Sequence, residues 1–292
     1  MNDANELGQF IPLHYHYAML YDNARIESFR TAINLVVKPG AKVLELGSGT
    51  GVLSFFAAEK ADKVYSVELN PELVEKSRRF LSLNRNGEKV EVIHADAFEY
   101  VPPEPVDAVI CEMLHVGLLR EKQLAVIDAF KSRYRQRFES APLPVFIPAA
   151  TIQAVQPVQH DFVFEEFYAP IILFQYPYNI DPRTKELGDP VIYHQVLYDK
   201  QFGLSCQWSG TLAIITEGNF NALRIATKNI LAVVPGGSQA EQSSISWHNQ
   251  YLVQPLEQEL PVHPGQKIAV SWNYNAGDLL SAFQPLVTTC PL

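Results

Sequence analysis

Val43-Leu44-Glu45-Leu46-Gly47-Ser48-Gly49-Thr50-Gly51 constrains this chain more than any other stretch, because an apolar run ends there in an acid followed by three glycines spaced by single residues. A strand that hands over to a helix beside a bound nucleotide has this form. Glycines allow the tight turn and let a ligand approach backbone N–H groups that a Cβ would shield. A dinucleotide fingerprint has the spacing G-x-G-x-x-G and cradles a pyrophosphate at the helix N-terminus. Here the spacing is G-x-G-x-G, and Glu45 stands two residues ahead of the first glycine. A carboxylate in that place repels a pyrophosphate and receives an ammonium group, directly or through water.

Downstream, Lys63-Val64-Tyr65-Ser66-Val67-Glu68 is a short β-branched run ending in a second carboxylate. It reads as the next strand, and Glu68 falls where a ribose-binding acid stands after one intervening helix. Asn70-Pro71-Glu72 places a cap before a proline at a first helical position, so a helix starts there. A third strand, Lys89 to Ile93, leads into His94-Ala95-Asp96-Ala97, and a fourth, Val106 to Cys111, ends at Glu112. Helical segments at roughly 51–60, 71–85 and 118–138 alternate with these strands, as a doubly wound parallel sheet requires.

The pattern changes near residue 148. Beyond it the β-rich runs Thr151–Val158, Ile192–Tyr198, Leu204–Ile215, Ala222–Val234, Tyr251–Leu256 and Lys267–Trp272 are divided by turn signals such as Pro235-Gly236-Gly237, which predicts an antiparallel barrel or sandwich. With 292 residues and 47% hydrophobic content the chain is long enough for two domains. The expected division is 1–148, with an N-terminal lid helix, and 149–292. Three cysteines, Cys111, Cys206 and Cys290, are too far apart for a paired metal motif, so no metal site is expected. No apolar stretch is long enough for a membrane span and no leader is apparent, which places the protein in the cytoplasm with no membrane partner. A formal charge of −9 disfavours strong nucleic-acid binding and suits a cationic substrate. The basic run Lys131 to Arg137 reads as a solvated helix end.

The E-x-G-x-G-x-G stretch resembles motif I of the class I S-adenosylmethionine-dependent methyltransferases, and three further segments extend the resemblance to the protein arginine methyltransferases. Glu112 and Glu121 bracket Met113 to Arg120 as in that family's double-E loop, and Met19-Leu20-Tyr21-Asp22-Asn23-Ala24-Arg25 resembles its lid helix. The strands around Trp208–Val234 and the pair Ser246-Trp247 are similar to its barrel. The resemblance implies a Rossmann-like α/β domain followed by an antiparallel β-barrel, S-adenosylmethionine as cofactor, and an arginine-containing basic protein as methyl acceptor. Met19, Arg25, Glu45, Gly47, Gly49, Gly51, Glu68, Asp96 and Ala97 would hold the cofactor, Arg25 by pairing with its carboxylate and Asp96-Ala97 by contacting adenine. Glu112 and Glu121 would be catalytic. Two carboxylates on one loop accept the planar fork of a guanidinium bidentately.

This sequence departs from the family at several points. The barrel histidine position is Ser246, so Asp22 lacks its expected partner, and His115, His248 or a Glu remain as groups to take a proton. Asn5 to Gln9 do not match the N-terminal tyrosine-rich motif, although Phe10 fits its last tyrosine. The segment from Asp161 to Pro190 is shorter than the family's dimerisation arm yet unusually aromatic, consistent with a homodimer. Two alternatives stay open: a small molecule or another nucleophile as acceptor, and a cofactor-binding scaffold without turnover.

Overall fold

The computed structural model describes residues 11, 13–234 and 244–289. The sequence features at Phe10, Asn5 to Gln9, Pro235-Gly236-Gly237 and Cys290 lie outside the described residues.

Two helices, α1 (Leu13–Tyr21) and α2 (Asn23–Val36), precede an alternating β/α unit. Its elements are β1 (Lys42–Leu46), α3 (Val52–Ala58), β2 (Lys63–Glu68), α4 (Pro71–Ser82), β3 (Val90–His94), β4 (Ala108–Cys111), α5 (Gln123–Arg137) and β5 (Val145–Ile147). The five strands form one parallel sheet in the order β3-β2-β1-β4-β5. Strand order therefore reverses between β1 and β4, and the crevice beyond their carboxyl ends is where such sheets bind ligands. Leu46 pairs with Cys111 in this register, which sets the glycine turn and Glu112 side by side.

Local chemistry explains the starts of α3 and α4. Gly51 caps α3 with φ +80°, a left-handed conformation open to glycine. Asn70 caps α4 by accepting from the Glu72 N–H at 2.9 Å, with Pro71 at the first helical position. The start of α5 differs from expectation: it begins at Gln123 rather than near 118, because Gly117, Leu118 and Arg120 all have positive φ. The basic run at its end is not uniformly solvated either. Lys131 is buried, donates to the carbonyls of Tyr198 and Lys200, and lies 4.0 Å from the Phe202 ring centroid, while burial lowers its pKa.

The second half contains β6 (Ala150–His160), β7 (Val163–Phe164), β8 (Phe167–Tyr168), β9 (Leu173–Gln175), β10 (Thr184–Glu186), β11 (Val191–Leu197), β12 (Trp208–Ala213), β13 (Gly218–Val233), β14 (Ser244–His248), β15 (Tyr251–Val262), β16 (Lys267–Trp272) and β17 (Leu286–Thr289). All of its pairings are antiparallel. They make a seven-stranded sheet, a three-stranded sheet of β12, β16 and β17, and the small β7–β8 hairpin. Among the described strands the two larger sheets share a core, with Val155, Leu223 and Leu252 packed in one cluster with Leu212, Val270 and Trp272, but no ladder closes them into a barrel.

The two halves are joined by packing as well as by chain. Tyr198, Leu231 and Trp247 belong to the same apolar cluster as Leu44, Val109 and Phe130 of the parallel domain, and the Trp247 ring lies 6.0 Å from Phe29 of α2. In return, Val116 and Leu119 leave the parallel domain and are buried in the antiparallel core.

Candidate active site

One cleft of about 170 Å³ lies over the carboxyl ends of β1 and β4, lined by residues of the glycine turn, α1, Glu68, Asp96, Glu112 and Glu121. Of the residues singled out from sequence, Met19, Arg25, Glu45, Gly47, Gly49, Glu68, Asp96, Ala97, Glu112 and Glu121 all line it. Gly51 sits one turn back as the α3 cap.

The glycine turn is left-handed at all three glycines, with φ of +73°, +54° and +80° at Gly47, Gly49 and Gly51. Space matters as much as backbone freedom at Gly47, where an added Cβ would stand 2.3 Å from the Met113 Cε. The Gly47 and Ser48 N–H groups donate to the Val67 carbonyl at 2.9 Å, tying the turn to β2. That tie brings Glu68 under the turn. Its Oε2 accepts from the Gly49 N–H and its Oε1 from the Asn70 N–H, both at 2.8 Å, so each oxygen is fixed and keeps a lone pair for a ligand hydroxyl. Asp96 accepts from the Phe98 N–H at 2.8 Å through Oδ1, which orients the carboxylate that lines the far end of the cleft.

Glu45 is 2% exposed and accepts from the Ser54 hydroxyl. Burial pushes its carboxyl up to about 8, against the smaller opposing effect of the Ser54 hydrogen bond. Arg25 is also buried. Its Nη1 donates to the Met19 carbonyl at 3.4 Å, its Nη2 donates to Glu112 Oε2, and its ring-facing side rests over Phe29. The sequence does not pair Arg25 with Glu112. Nor is Arg25 the partner of Asp22 in a surface ion pair, since Asp22 instead caps α2 by accepting from the Arg25 backbone N–H at 3.0 Å.

Among the described residues, three polar atoms on cleft-lining side chains are buried without a hydrogen-bond partner: His16 Nε2, Arg25 Nε and Ser48 Oγ. Buried polar groups are rarely left unpaired, so these mark a surface shaped for a polar ligand. His16 was not singled out from sequence. It lies over the turn, about 3.0 Å from where a Gly49 Cβ would be, and burial lowers its pKa.

The loop from Glu112 to Glu121 is fixed along its backbone by side chains from outside it. Gln123 accepts from the Met113 N–H at 2.8 Å and donates to the Cys111 carbonyl at 2.6 Å. Asn249 donates to the Leu114 carbonyl at 3.0 Å, Thr227 accepts from the Gly117 N–H at 2.8 Å, and Tyr274 donates to the Gly117 carbonyl at 2.8 Å. The Gly277 N–H donates to Leu118 O, and the Arg120 N–H donates to Asp278 O. These contacts over-determine a backbone with Leu118 at φ +54° and Arg120 at φ +64°, a conformation that side chains rarely adopt. None of the four bracing side chains was singled out from sequence, because nothing local distinguishes them.

Glu121 is half-buried, and its carboxyl is raised to about 7 by burial and then by the Glu112 charge, with Arg120 opposing. His115 and His248 do not line the cleft. Burial depresses His115 to about 4 and lowers His248, so both stay neutral near pH 7. Ser246 is half-buried on β14, the strand against which α2 packs.

The chain is similar to known methyltransferases. A model of a methyltransferase domain matches residues 43–136. The chain is 30% identical over 218 residues to an uncharacterized protein of Methanothermobacter thermautotrophicus, covering 75% of this chain and 78% of that one. It is 30% identical over 141 residues to the arginine N(omega)-methyltransferase of Streptomyces achromogenes subsp. streptozoticus, covering 47% of this chain and 38% of that one. In fold it is similar to the Trypanosoma brucei PRMT1 enzyme-prozyme complex with AdoHcy, with a TM-score of 0.70 and 18% identity over 88% of this chain and 86% of that one.

Proposed function

The chain belongs to the class I methyltransferases as a divergent relative of the protein arginine methyltransferases, and from that premise we propose that it transfers a methyl group to a guanidinium nitrogen of an arginine in a protein. The observation that carries this reading is the pair Glu112 and Glu121. Both carboxylates line one cleft, and the Glu112 charge adds to burial in raising the Glu121 carboxyl. A cation between them relieves that repulsion, and the flat five-donor fork of a guanidinium matches two carboxylates better than a point-charge ammonium does.

The cofactor is S-adenosylmethionine, which supplies an electrophilic methyl group. The residues present fit it. Glu68 would offer both oxygens to ribose hydroxyls, Asp96 and Ala97 would contact adenine, and Arg25 Nε and His16 Nε2 would supply further polar contacts. Glu45, neutral at pH 7 when alone, ionises against an ammonium group, because the ion pair offsets the burial that holds its proton. Arg25, bound to Glu112 and lining the same cleft, would also pair with the cofactor carboxylate and so link the two halves of the site. Glu112 and Glu121 align and polarise the acceptor, so rate comes from orientation and charge placement. Glu121 is the candidate to take the proton that the guanidinium loses, since it lines the cleft and His115, His248 and Ser246 do not.

A small guanidine as acceptor is a second reading, favoured by serine at position 246 and by the arginine N(omega)-methyltransferase relative. Among the described residues no helix is long and apolar enough to cross a membrane, and we place the protein in the cytoplasm. The exposed Phe167, Tyr168, Tyr176 and Tyr178 supply a face for a second copy of the chain. Incubation with methyl-labelled S-adenosylmethionine and three acceptors, an arginine-rich peptide, its lysine counterpart and free arginine, tests the proposal. Label on the arginine peptide alone is the expected result. Label on free arginine alone would move the reading to the small guanidine, and cofactor binding with no product on any acceptor would leave a scaffold.

A further inference from the structure

We infer that Gln123 is a positioning residue that sets the direction of the Glu112 carboxylate. The inference rests on the reading of Glu112 as a guanidinium holder. Gln123 is fully buried at the first turn of α5, and its side-chain amide contacts the two peptide groups that flank residue 112. It accepts from the Met113 N–H at 2.8 Å and donates to the Cys111 carbonyl at 2.6 Å. β4 ends at Cys111, so these groups stand at the point where the sheet ladder stops supplying partners. One planar amide replaces the neighbouring strand there. A turn of the Glu112 backbone toward or away from the cleft breaks at least one of the two bonds, and a buried peptide group left unpaired is costly. The site requires a donor and an acceptor at fixed spacing, which an amide or a protonated carboxylic acid supplies and a hydrocarbon, a hydroxyl or a carboxylate does not.

The test compares Gln123→Met, which preserves volume and removes both bonds, with Gln123→Glu, which retains the acceptor and regains the donor only when protonated. Transfer to the arginine peptide by Gln123→Met should fall roughly tenfold to a hundredfold, because a displaced carboxylate misaligns the acceptor. S-adenosylmethionine affinity, measured by calorimetry, should change far less. The rate of Gln123→Glu relative to wild type should climb as pH is lowered from about 8 to about 6, since a buried carboxyl titrates high and its protonated form mimics the amide. A purely structural residue would give no such pH-dependent rescue. Wild-type turnover in Gln123→Met, an equal loss of turnover and cofactor affinity, or a Gln123→Glu pH profile parallel to wild type would each overturn the inference. Should wild type itself transfer nothing, the proposed function fails, and the inference is then decided by a double-mutant cycle of Gln123→Met with Glu112→Gln read on thermal unfolding. Non-additive effects support a link between the two residues, and additive ones refute it.

Discussion

The glycine turn and the Glu112–Glu121 loop lie within one cleft but are built by different means. The turn is held almost wholly by its own neighbours: three left-handed glycines, a backbone tie to Val67, and Glu68 at the next strand end. The loop is held from afar, by Gln123 on α5 and by Thr227, Asn249 and Tyr274 from strands and connections formed more than a hundred residues later. The contrast shows how cofactor binding and acceptor chemistry separate. On the proposed reading the first draws on the parallel sheet and the helices before it, and the second depends on the docking of both halves of the protein.

The sharpest way to break this comparison is at the loop's carboxylates. Glu121→Gln should cost about 2–5 kcal/mol of transition-state stabilisation while leaving cofactor affinity nearly unchanged, as read by kcat/KM and calorimetry on one preparation. Glu112→Gln should lose transfer as severely but also alter cofactor affinity, because Arg25 loses its partner. If Glu121→Gln releases the cofactor as readily as Glu112→Gln does, the two regions are not separable.

Thr227→Val tests the remote bracing. It leaves the Gly117 N–H unpaired, and the expected loss is about 1–3 kcal/mol, visible in turnover and unfolding temperature but not in cofactor affinity. A parallel loss of cofactor binding would show that the antiparallel half supports the whole cleft. Gly47→Ala probes the place where turn and loop touch. The left-handed backbone costs a Cβ about 1–2 kcal/mol, and the new methyl displaces Met113, the neighbour of Glu112, so cofactor affinity and turnover should both fall. Turnover that survives at saturating cofactor would confine Met113 to a packing role.

A further expected effect is in pH. The Glu45 carboxyl is raised from 4.5 to about 8 in the ligand-free fold, so the folded state retains a proton that the unfolded chain releases. Its contribution to stability is complete below about 4.5 and fades as pH rises toward about 8. Unfolding temperatures of the ligand-free protein should decline over that interval, and Glu45→Gln should flatten the decline. An unchanged slope in the mutant would assign it to other groups.

Legibility follows the same division. The strands at Lys63–Glu68 and Lys267–Trp272 match their sequence runs to the residue, and the α4 cap at Asn70-Pro71 forms as read, because these features depend on adjacent residues. The start of α5 was misplaced since Leu118 and Arg120 are forced into left-handed backbone by contacts that no local pattern records. Lys131 reads as solvated until the carbonyls of Tyr198 and Lys200 meet it across the fold. The Arg25–Glu112 pair joins a helix before the first strand to a loop after the fourth, a distance that spacing rules do not bridge.

Val116 and Leu119 bury themselves among residues that follow them in sequence, from Val155 to Phe283. During synthesis the glycine turn and Glu68 emerge well before Thr227, Asn249 and Tyr274, and domains fold from the N-terminus onward as they appear. A nascent or truncated chain would thus acquire the cofactor pocket long before it could align an acceptor. On the proposed reading, competence to react arrives only once both halves are folded, which makes the loop a built-in check on the quality of the protein that carries it.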